Sequence, residues 1–265
     1  MLKAFFDEEK IEYYAVLPYE EAREINSGLR EKCGFSPKSV IVYLLPYYAG
    51  ESENMSVYSA SLDYHIAIKE ISARLGDYLA SLYPECNCRG FGDHSPIDER
   101  HAAVSAGLGI IGDNGLIINE KYGSYIFIAD MLTDIEGEEL GAVQPREASH
   151  CIHCGACKRA CPTGILSGDG CDCLSAITQK KGELSEGEAE LMRKFNTVWG
   201  CDECQKACPY NKSPNITPIE FFRRDRIPKL TSEILNGMSK EEFTKRAFAW
   251  RGRKTVERNL KLLDY

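Results

Sequence analysis

The pattern of hydrophobic and polar positions predicts a mixed α/β region in the first half of the chain. A near-continuous β-branched and apolar run at residues 39–45 predicts a buried central strand. Apolar positions at helical spacing between Ile66 and Leu82 predict an amphipathic helix. Two apolar runs joined by a glycine-containing turn predict a hairpin over residues 116–130. Residues 1–36 are predicted to be helical, in two pieces.

Capping signals predict further helices. Ser95 is a candidate N-cap with Pro96 at the first helical position, so a helix is predicted from Pro96 to about Ala106. Similar signals predict three later helices. One covers residues 183–196, where Ser185 and Glu188 form a capping box. The other two begin at residues 217–220 and at residues 239–242. The last two predict a pair of short helices near the end of the chain.

The cysteines carry the strongest chemical signal. Seven of the twelve cysteines lie in two motifs, each ending in Cys-Pro. The motifs are Cys151-x₂-Cys154-x₂-Cys157-x₃-Cys161-Pro162 and Cys201-x₂-Cys204-x₃-Cys208-Pro209. This spacing is that of bacterial ferredoxins with two iron–sulfur clusters, in which the fourth cysteine of each motif binds the other cluster. The sequence therefore predicts a double [4Fe-4S] module.

The crossing rule assigns the ligands. One cluster would be held by Cys151, Cys154, Cys157 and Cys208, and the other by Cys161, Cys201 and Cys204. A complete second motif would have a cysteine where the chain has Val198, so a ligand must come from the connecting segment, which offers Cys171 and Cys173. Zinc is the main alternative for paired Cys-x₂-Cys, and it is disfavoured because the x₂, x₂, x₃-Cys-Pro run fits clusters better.

Composition and charge indicate the cellular compartment and the partners that the protein could bind. The acidic residues among the first nine do not resemble an export signal, and no apolar run approaches the roughly 18 residues of a membrane span, so a cytoplasmic protein is expected. The net charge is −8, yet residues 221–261 hold twelve Lys and Arg against five acids. This basic segment is a candidate contact for nucleic acid or a phosphate-bearing ligand, or else a solvated face packed on the acidic body.

Other polar residues are candidates for a pocket. Asp93 is predicted at a strand-to-helix corner, where site residues often lie, although a plain turn residue fits as well. Tyr58, Asp63 and His65 are further candidates. The run Gly107–Gly112 matches the G-x-G-x-x-G motif of dinucleotide-binding sites. That motif follows a strand and opens a helix, whereas here a helix is predicted before the run and a strand after it, so a dinucleotide-binding site is excluded. Its glycines are expected to allow a tight turn or the close approach of a ligand.

Together these motifs resemble the epoxyqueuosine reductases, which remove the epoxide oxygen from a modified base in tRNA. The resemblance covers residues 39–212, and more weakly the chain to about Leu263. It is carried by Tyr58-Ser59-Ala60, Asp63-Tyr64-His65, Asp93-x-x-Pro96, residues 106–114, residues 123–133 and both cluster motifs through Lys212.

The resemblance implies cobalamin beside two [4Fe-4S] clusters. It implies a domain like the flavin nitroreductase-related vitamin-binding folds, and it matches the proton-donating aspartate of the family to Asp93. The family's Cys-x-Ser segment matches Cys173-Leu174-Ser175, which favours Cys173 over Cys171 as the eighth ligand. Cobalamin contacts are expected at Tyr58, Asp93, Ile117, Asn119, Ile128 and Ser175.

The expected organisation has three parts. An α/β (α+β) cobalamin and substrate domain is predicted at residues 1–140, a ferredoxin-like double-cluster module at 141–212 and a basic helical tail at 213–265. Family members carry a further helical-repeat region after this point, so a short form is expected. The implied partners are tRNA, through the basic segment, and an external low-potential electron donor. The alternatives are a cobalamin-dependent reductase of a small molecule and an electron-transfer or corrinoid-handling protein.

Overall fold

The computed structural model describes residues 1–146, 151–170 and 172–265. These residues divide into two compact units. The first unit comprises Met1–Tyr47 and His65–Ile152, and the second comprises Tyr48–Tyr64 and His153–Tyr265. The three-part division expected from the sequence stays a prediction.

The first unit contains a four-stranded antiparallel sheet of order β1-β2-β6-β3 and a separate two-stranded sheet, β4-β5. The strands are β1 (Tyr14–Pro18), β2 (Ser39–Pro46), β3 (Cys88–Phe91), β4 (Ile110–Ile111), β5 (Ile117–Ile118) and β6 (Ile126–Thr133). The helices are α1 (Leu2–Glu8), α2 (Ser27–Glu31), α3 (Tyr64–Leu82), α4 (Glu99–Ser105) and α5 (Gly137–Leu140).

Strand β2 lies inside the sheet and is buried along its whole length, so the predicted central strand is confirmed. Val42 and its neighbours on one face pack with α4 in a single hydrophobic cluster. On the other face the hydroxyl of Tyr43 lies 2.9 Å from that of Ser72 in α3. The predicted helix α3 is confirmed, and it buries Ile71, Leu75 and Leu79 while Leu82 is exposed.

Three predictions in the first unit are wrong. Tyr14–Pro18 is a strand and not part of a helix, because it pairs with β2. The hairpin over residues 116–130 does not form, since β5 pairs with β4 and β6 pairs with both β2 and β3. Helix α4 begins at Glu99 with Asp98 as its N-cap, because the Asp98 carboxylate accepts the His101 N–H whereas Ser95 is turned toward the sheet.

The second unit is helical. Its α-helices are α6 (Ala156–Ala160), α7 (Leu174–Thr178), α8 (Glu186–Lys194), α9 (Glu203–Lys206), α10 (Ser232–Gly237), α11 (Lys240–Thr244) and α12 (Arg253–Leu262). Its larger core surrounds Trp199 and Phe248, which are fully buried. The capping box predicted at Ser185 is confirmed, and so is the helix start predicted at Ser239, which also forms a capping box.

The carboxyl-terminal region differs in part from its prediction. The signal at residues 217–220 leads only to a 3₁₀ turn, Glu220–Phe222, because the Thr217 hydroxyl accepts the Ile219 N–H in a local turn. Helices α10, α11 and α12 follow instead of a pair. Within the described ranges, none of the helices has the length and apolar character that crossing a membrane requires.

Candidate functional site

The part of the two cysteine motifs that lies in the second unit is built on two short helices that pack together. Helix α6 carries Cys157 and is followed by Cys161, and α9 carries Cys204 and is followed by Cys208. Gly155, at φ +69°, provides the left-handed turn that starts α6. The packing of α6 against α9 brings the two Cys-Pro motifs side by side, as the crossing rule requires.

Three of the four predicted ligands of the second cluster are neighbours. Burial, with smaller contributions from the nearby thiols of Cys173 and Cys204, raises the pKa of the Cys201 thiol to about 12, against a backbone hydrogen bond from Glu203. Like-charge repulsion of this kind acts only between groups a short distance apart. A bound iron ion reverses the effect, because thiolate ligation removes the proton. The placement of Cys173 beside Cys201 fits its expected role as the eighth ligand.

The fourth predicted ligand of this cluster, Cys161, lies in a turn that favours its anion. Partial burial raises its pKa, but the backbone N–H groups of Leu166, Thr163 and Gly164 more than offset this, and the pKa is lowered. The same N–H groups point at the position of a cluster thiolate. Hydrogen bonds to the sulfurs are one of the means by which a protein tunes a cluster.

The remaining cysteines fall into two groups. Cys151 belongs to the first unit, where its N–H donates to the Ile111 carbonyl, while Cys154, Cys157 and Cys208 belong to the second unit. Cys171 lies outside the described residues. Cys33, Cys86 and Cys88 are in the first unit, and the sulfurs of the last two lie 3.8 Å apart.

Asp93 lies in the loop between β3 and α4, the strand-to-helix corner that the sequence predicts. Its backbone is left-handed, with φ +62°, and its side chain is 51% exposed. His65 Nε2 lies 3.5 Å from its Oδ2. The Asp93 N–H donates to Glu99 Oε2 at 3.2 Å. A carboxyl group thus stands at an accessible corner with a histidine at its side.

Two acids behind this loop were missed by sequence reasoning. Burial raises the pKa of Asp130 to about 7, and the Ser95 hydroxyl, which donates to its Oδ1 at 3.0 Å, opposes the shift. Burial, then the charges of Asp130 and Asp93, raise the pKa of Glu99 to about 8. Among the described residues, Asp130 Oδ2 is buried without a hydrogen-bond partner. The signal in the sequence was an aspartate within the apolar run at residues 126–132.

The residues matched to cobalamin contacts have structural partners. Asn119 donates to the Leu108 carbonyl and its Oδ1 accepts from the Lys121 and Tyr122 N–H groups, while Ile117 and Ile128 are buried in the core of the first unit. In the second unit, the Tyr58 hydroxyl accepts the Trp199 indole N–H and Ser175 Oγ accepts from Gln179. Their assignment as cofactor contacts stays a prediction.

Two buried polar atoms in the first unit fit a group rich in amides, as cobalamin is. Asn114 Nδ2 and His101 Nδ1 are buried with no hydrogen-bond partner in the part of the chain that the structure describes. Buried polar atoms are almost always satisfied, so each calls for a partner. Asn114 follows the run Gly107–Gly112, in which Gly107, at φ +74°, makes the tight turn that the sequence predicts.

Much of the positive charge of the basic segment is used inside the second unit. Arg253 donates to the carbonyls of Leu235 and Met238, and Arg258 donates to those of Lys180 and Gly182. Arg226 and Arg246 bond backbone carbonyls in the same way. Lys229 and Lys245 form ion pairs with Glu53 and Glu241. The segment is therefore less available to an anionic partner than its charge suggests.

An exposed aromatic residue lies in the same segment. Trp250 is 58% exposed, and the Arg251 guanidinium lies over its ring, 3.7 Å from the centroid. Exposed aromatic rings that carry a stacked arginine are suited to unpaired bases, which stack on the ring while the guanidinium meets phosphate. This pair is the clearest candidate for a nucleic-acid contact in the second unit.

Comparisons with known proteins identify the cluster domain and the family. The family model described as a 4Fe-4S double cluster binding domain matches residues 150–211. The epoxyqueuosine reductase of Leadbetterella byssophila is 32% identical over 225 residues, which cover 79% of this chain and 72% of that protein. The chain belongs to the epoxyqueuosine reductase family. The epoxyqueuosine reductase of Listeria monocytogenes is 34% identical over 212 residues, or 76% of this chain and 54% of the relative.

Solved epoxyqueuosine reductases share the fold. The enzyme from Streptococcus thermophilus has a TM-score of 0.78 at 24% identity, and the alignment covers 99% of this chain and 79% of that one. An epoxyqueuosine reductase solved with an epoxyqueuosine-modified tRNA stem loop has a TM-score of 0.76, over 99% of this chain and 80% of that one. The chain spans about half the length of the Listeria relative.

Proposed function

We propose that this chain is a cobalamin- and iron–sulfur-dependent reductase that removes the epoxide oxygen of epoxyqueuosine in tRNA. The observation that carries the proposal is the combination, in one chain of the epoxyqueuosine reductase family, of a double-cluster domain at residues 150–211 with an acid at the Asp93 corner. An electron-transfer protein without a substrate would need the clusters but not this corner.

Eight cysteines hold the two clusters in this proposal. Cys151, Cys154, Cys157 and Cys208 hold one, and Cys161, Cys173, Cys201 and Cys204 hold the other. The clusters supply single electrons, and the cobalamin supplies a strongly reducing cobalt centre at the substrate. The cofactor contacts are those expected from the family, to which the buried and unpartnered Asn114 Nδ2 adds a donor for an amide.

The chemistry requires an acid. Removal of an epoxide oxygen as water takes up two electrons and two protons, and the oxygen leaves as an alkoxide unless an acid protonates it. Asp93 is proposed as that acid, because its side chain is accessible and the loop that carries it is tied to Glu99. His65, 3.5 Å away, would help to hold the carboxyl group in place.

The proposed substrate-bearing partner is tRNA. One solved family member was captured with an epoxyqueuosine-modified stem loop. On this chain, Trp250 and Arg251 offer a stacking surface of the kind that binds unpaired bases. The proposed electron source is an external low-potential donor.

The test is turnover under anaerobic conditions. The protein with its clusters reconstituted is mixed with cobalamin, a low-potential reductant and an epoxyqueuosine-bearing tRNA stem loop, and the nucleosides are analysed by mass spectrometry. We expect loss of one oxygen from the modified base. Asp93→Asn should keep its iron and cobalamin but lose turnover by about 100-fold or more, as for loss of a general acid. The exposed Asp77→Asn is the matched control.

Two results would contradict the proposal. Absence of conversion by a protein that carries both clusters and cobalamin would contradict the reductase assignment and favour a carrier. Unchanged turnover in Asp93→Asn would remove Asp93 from the role of acid.

A further inference from the structure

The loop that carries Asp93 is held in an uncommon conformation. A non-glycine residue at positive φ is rare, although aspartate tolerates it better than most. Asp93 has φ +62°, and directly after it the His94 N–H donates to the Gly92 carbonyl at 2.7 Å. Such a conformation persists only where the surroundings fix it.

Two acids, the partly buried Glu99 and the fully buried Asp130, hold this loop. Glu99, in the first turn of α4, accepts the Asp93 N–H. Ser95 donates to Asp130, which lies on β6 opposite Val42 of β2 and Phe91 of β3. The loop is thus tied at Asp93 to the helix and at Ser95 to the middle of the sheet.

We propose that Glu99 is a positioning residue for Asp93: its carboxyl group accepts the Asp93 backbone N–H and holds the left-handed turn that presents the Asp93 side chain. The inference rests on the proposed function, in which Asp93 is the acid. Glu99 itself does not touch the substrate and acts through Asp93.

The protonation state of Glu99 follows from the groups that face it. Burial, then the charges of Asp130 on β6 and Asp93 on the loop, raise its pKa to about 8, against the opposing effects of the hydrogen bond from the Asp93 N–H and of the Arg100 charge on α4. At neutral pH Glu99 is therefore mainly a neutral acid, whose carbonyl oxygen accepts the Asp93 N–H without opposing the negative charge that Asp93 gains when it donates its proton. Above about pH 8 Glu99 ionises, and its charge then opposes that proton donation.

Substitution of Glu99 by glutamine or by alanine separates its role as a hydrogen-bond acceptor from its ability to ionise. Glu99→Gln keeps an acceptor for the Asp93 N–H and cannot ionise, so it mimics the neutral acid. Glu99→Ala removes the acceptor. Asp98→Asn is the matched control, because it removes a neighbouring negative charge while asparagine still caps α4.

The first readout is the pH profile of turnover on an epoxyqueuosine stem loop, with the full chain carrying clusters and cobalamin. We expect wild-type kcat and that of Asp98→Asn to fall above about pH 8, and kcat of Glu99→Gln to show no such fall. At pH 7 the glutamine variant should turn over at least tenfold faster than the alanine variant, with similar KM. A fall in Glu99→Gln at the wild-type pH, or equal rates for the two variants, would overturn the inference.

The second readout does not depend on activity. In Glu99→Ala the Asp93 amide loses its acceptor, so hydrogen–deuterium exchange of a peptide covering residues 91–95 should be faster than in wild type, while Glu99→Gln and Asp98→Asn keep the wild-type rate. Equal exchange in wild type and Glu99→Ala would overturn the positioning role. Absence of wild-type turnover together with faster exchange in Glu99→Ala would remove the proposed function and keep the hydrogen bond. Should Glu99→Ala fail to fold, the pH profile of Glu99→Gln decides.

Discussion

At the scale of single residues, buried acids distinguish this molecule from a simple ferredoxin. Asp130 is fully buried, accepts from Ser95 through one oxygen and has, among the described residues, no partner for the other. Such a group is retained at a cost in stability, because its charged form loses hydration. We connect that cost to the placement of the Asp93 loop.

The first prediction concerns Asp130→Asn and pH. Burial raises the pKa of the folded-state carboxyl to about 7 from an ordinary value of 3.8, so the folded state binds this proton more tightly than the unfolded state. The free energy of unfolding therefore falls as pH rises from about 4 to 7. Asparagine has no such proton. Relative to wild type, the variant should gain on the order of 2–4 kcal/mol between pH 4 and pH 8, since each pKa unit corresponds to about 1.4 kcal/mol.

Denaturant unfolding at the two pH values measures this gain. Asp77→Asn, on the exposed side of α3, is the matched control. A stability difference between Asp130→Asn and wild type that does not vary with pH would contradict the account of its burial.

The second prediction concerns the eighth cluster ligand. Cys173→Ala should lose one cluster, so that iron falls from about eight to about four atoms per chain. Cys171→Ala should keep the wild-type content, as should Cys33→Ala, a cysteine of the first unit. Anaerobic iron and sulfide analysis measures this. A loss of iron in Cys171→Ala but not in Cys173→Ala would show that Cys171, and not Cys173, is the eighth ligand.

Sequence reasoning proposed residues that repeat a spacing and missed those defined by burial. The cysteines were proposed as ligands because cluster ligation imposes fixed intervals, and Asp93 was proposed because it matches the aspartate of the family and stands at a predicted strand-to-helix corner, where the structure places it. Glu99 looked like an ordinary acid in a first helical turn. Its role depends on Asp130, 31 positions later on β6, and no local pattern reports that proximity.

At the scale of elements, the sequence correctly predicted those helices and strands whose signal lies within the element itself and does not depend on a distant segment of the chain. The capping boxes at Ser185 and Ser239 are closed by residues three positions away. The run at residues 39–45 is apolar on both faces, which fixes a central strand. The hairpin prediction was wrong because strand pairing is decided over longer distances, and β6 finds its neighbours at β2 and β3.

The third prediction distinguishes arginines that stabilise the fold from arginines that are exposed and could contact a ligand. Arg258 on α12 donates to two backbone carbonyls of the segment between α7 and α8, whereas Arg251 stacks on the exposed Trp250. Arg258→Ala should lower stability by about 1–3 kcal/mol, because carbonyls lose a charged donor. Arg251→Ala should stay within about 0.5 kcal/mol of wild type. Anaerobic unfolding measures both, and equal effects would contradict the division.

At the scale of the whole molecule, the charge of the basic segment does not show how much of it is accessible to an anionic partner. The basic segment carries twelve Lys and Arg, but the structure engages Arg226, Arg246, Arg253 and Arg258 with backbone carbonyls. Sequence alone could not show this, because a carbonyl acceptor leaves no mark in composition. We therefore propose the tRNA contact at the surface around Trp250 and Arg251.

The fourth prediction follows from that surface. Binding of a tRNA stem loop should weaken as salt rises, and Arg251→Ala should weaken it further and reduce the slope of log K against log salt by about 0.7–0.9 for each phosphate that the variant leaves unneutralised. Trp250→Ala should weaken binding with little change in slope, because stacking releases no counterions. Lys3→Ala, an exposed lysine of α1, is the control. Binding unchanged in both variants would place the tRNA interface elsewhere.

The central claim is that one chain joins two iron–sulfur clusters to a cobalamin site. The most direct measurement is quantification of iron, sulfide and bound corrinoid in protein purified anaerobically and supplied with cobalamin. The account predicts about eight irons, as two clusters of four, and one corrinoid per chain. Zinc in place of iron, about four irons only, or no retained corrinoid would contradict it.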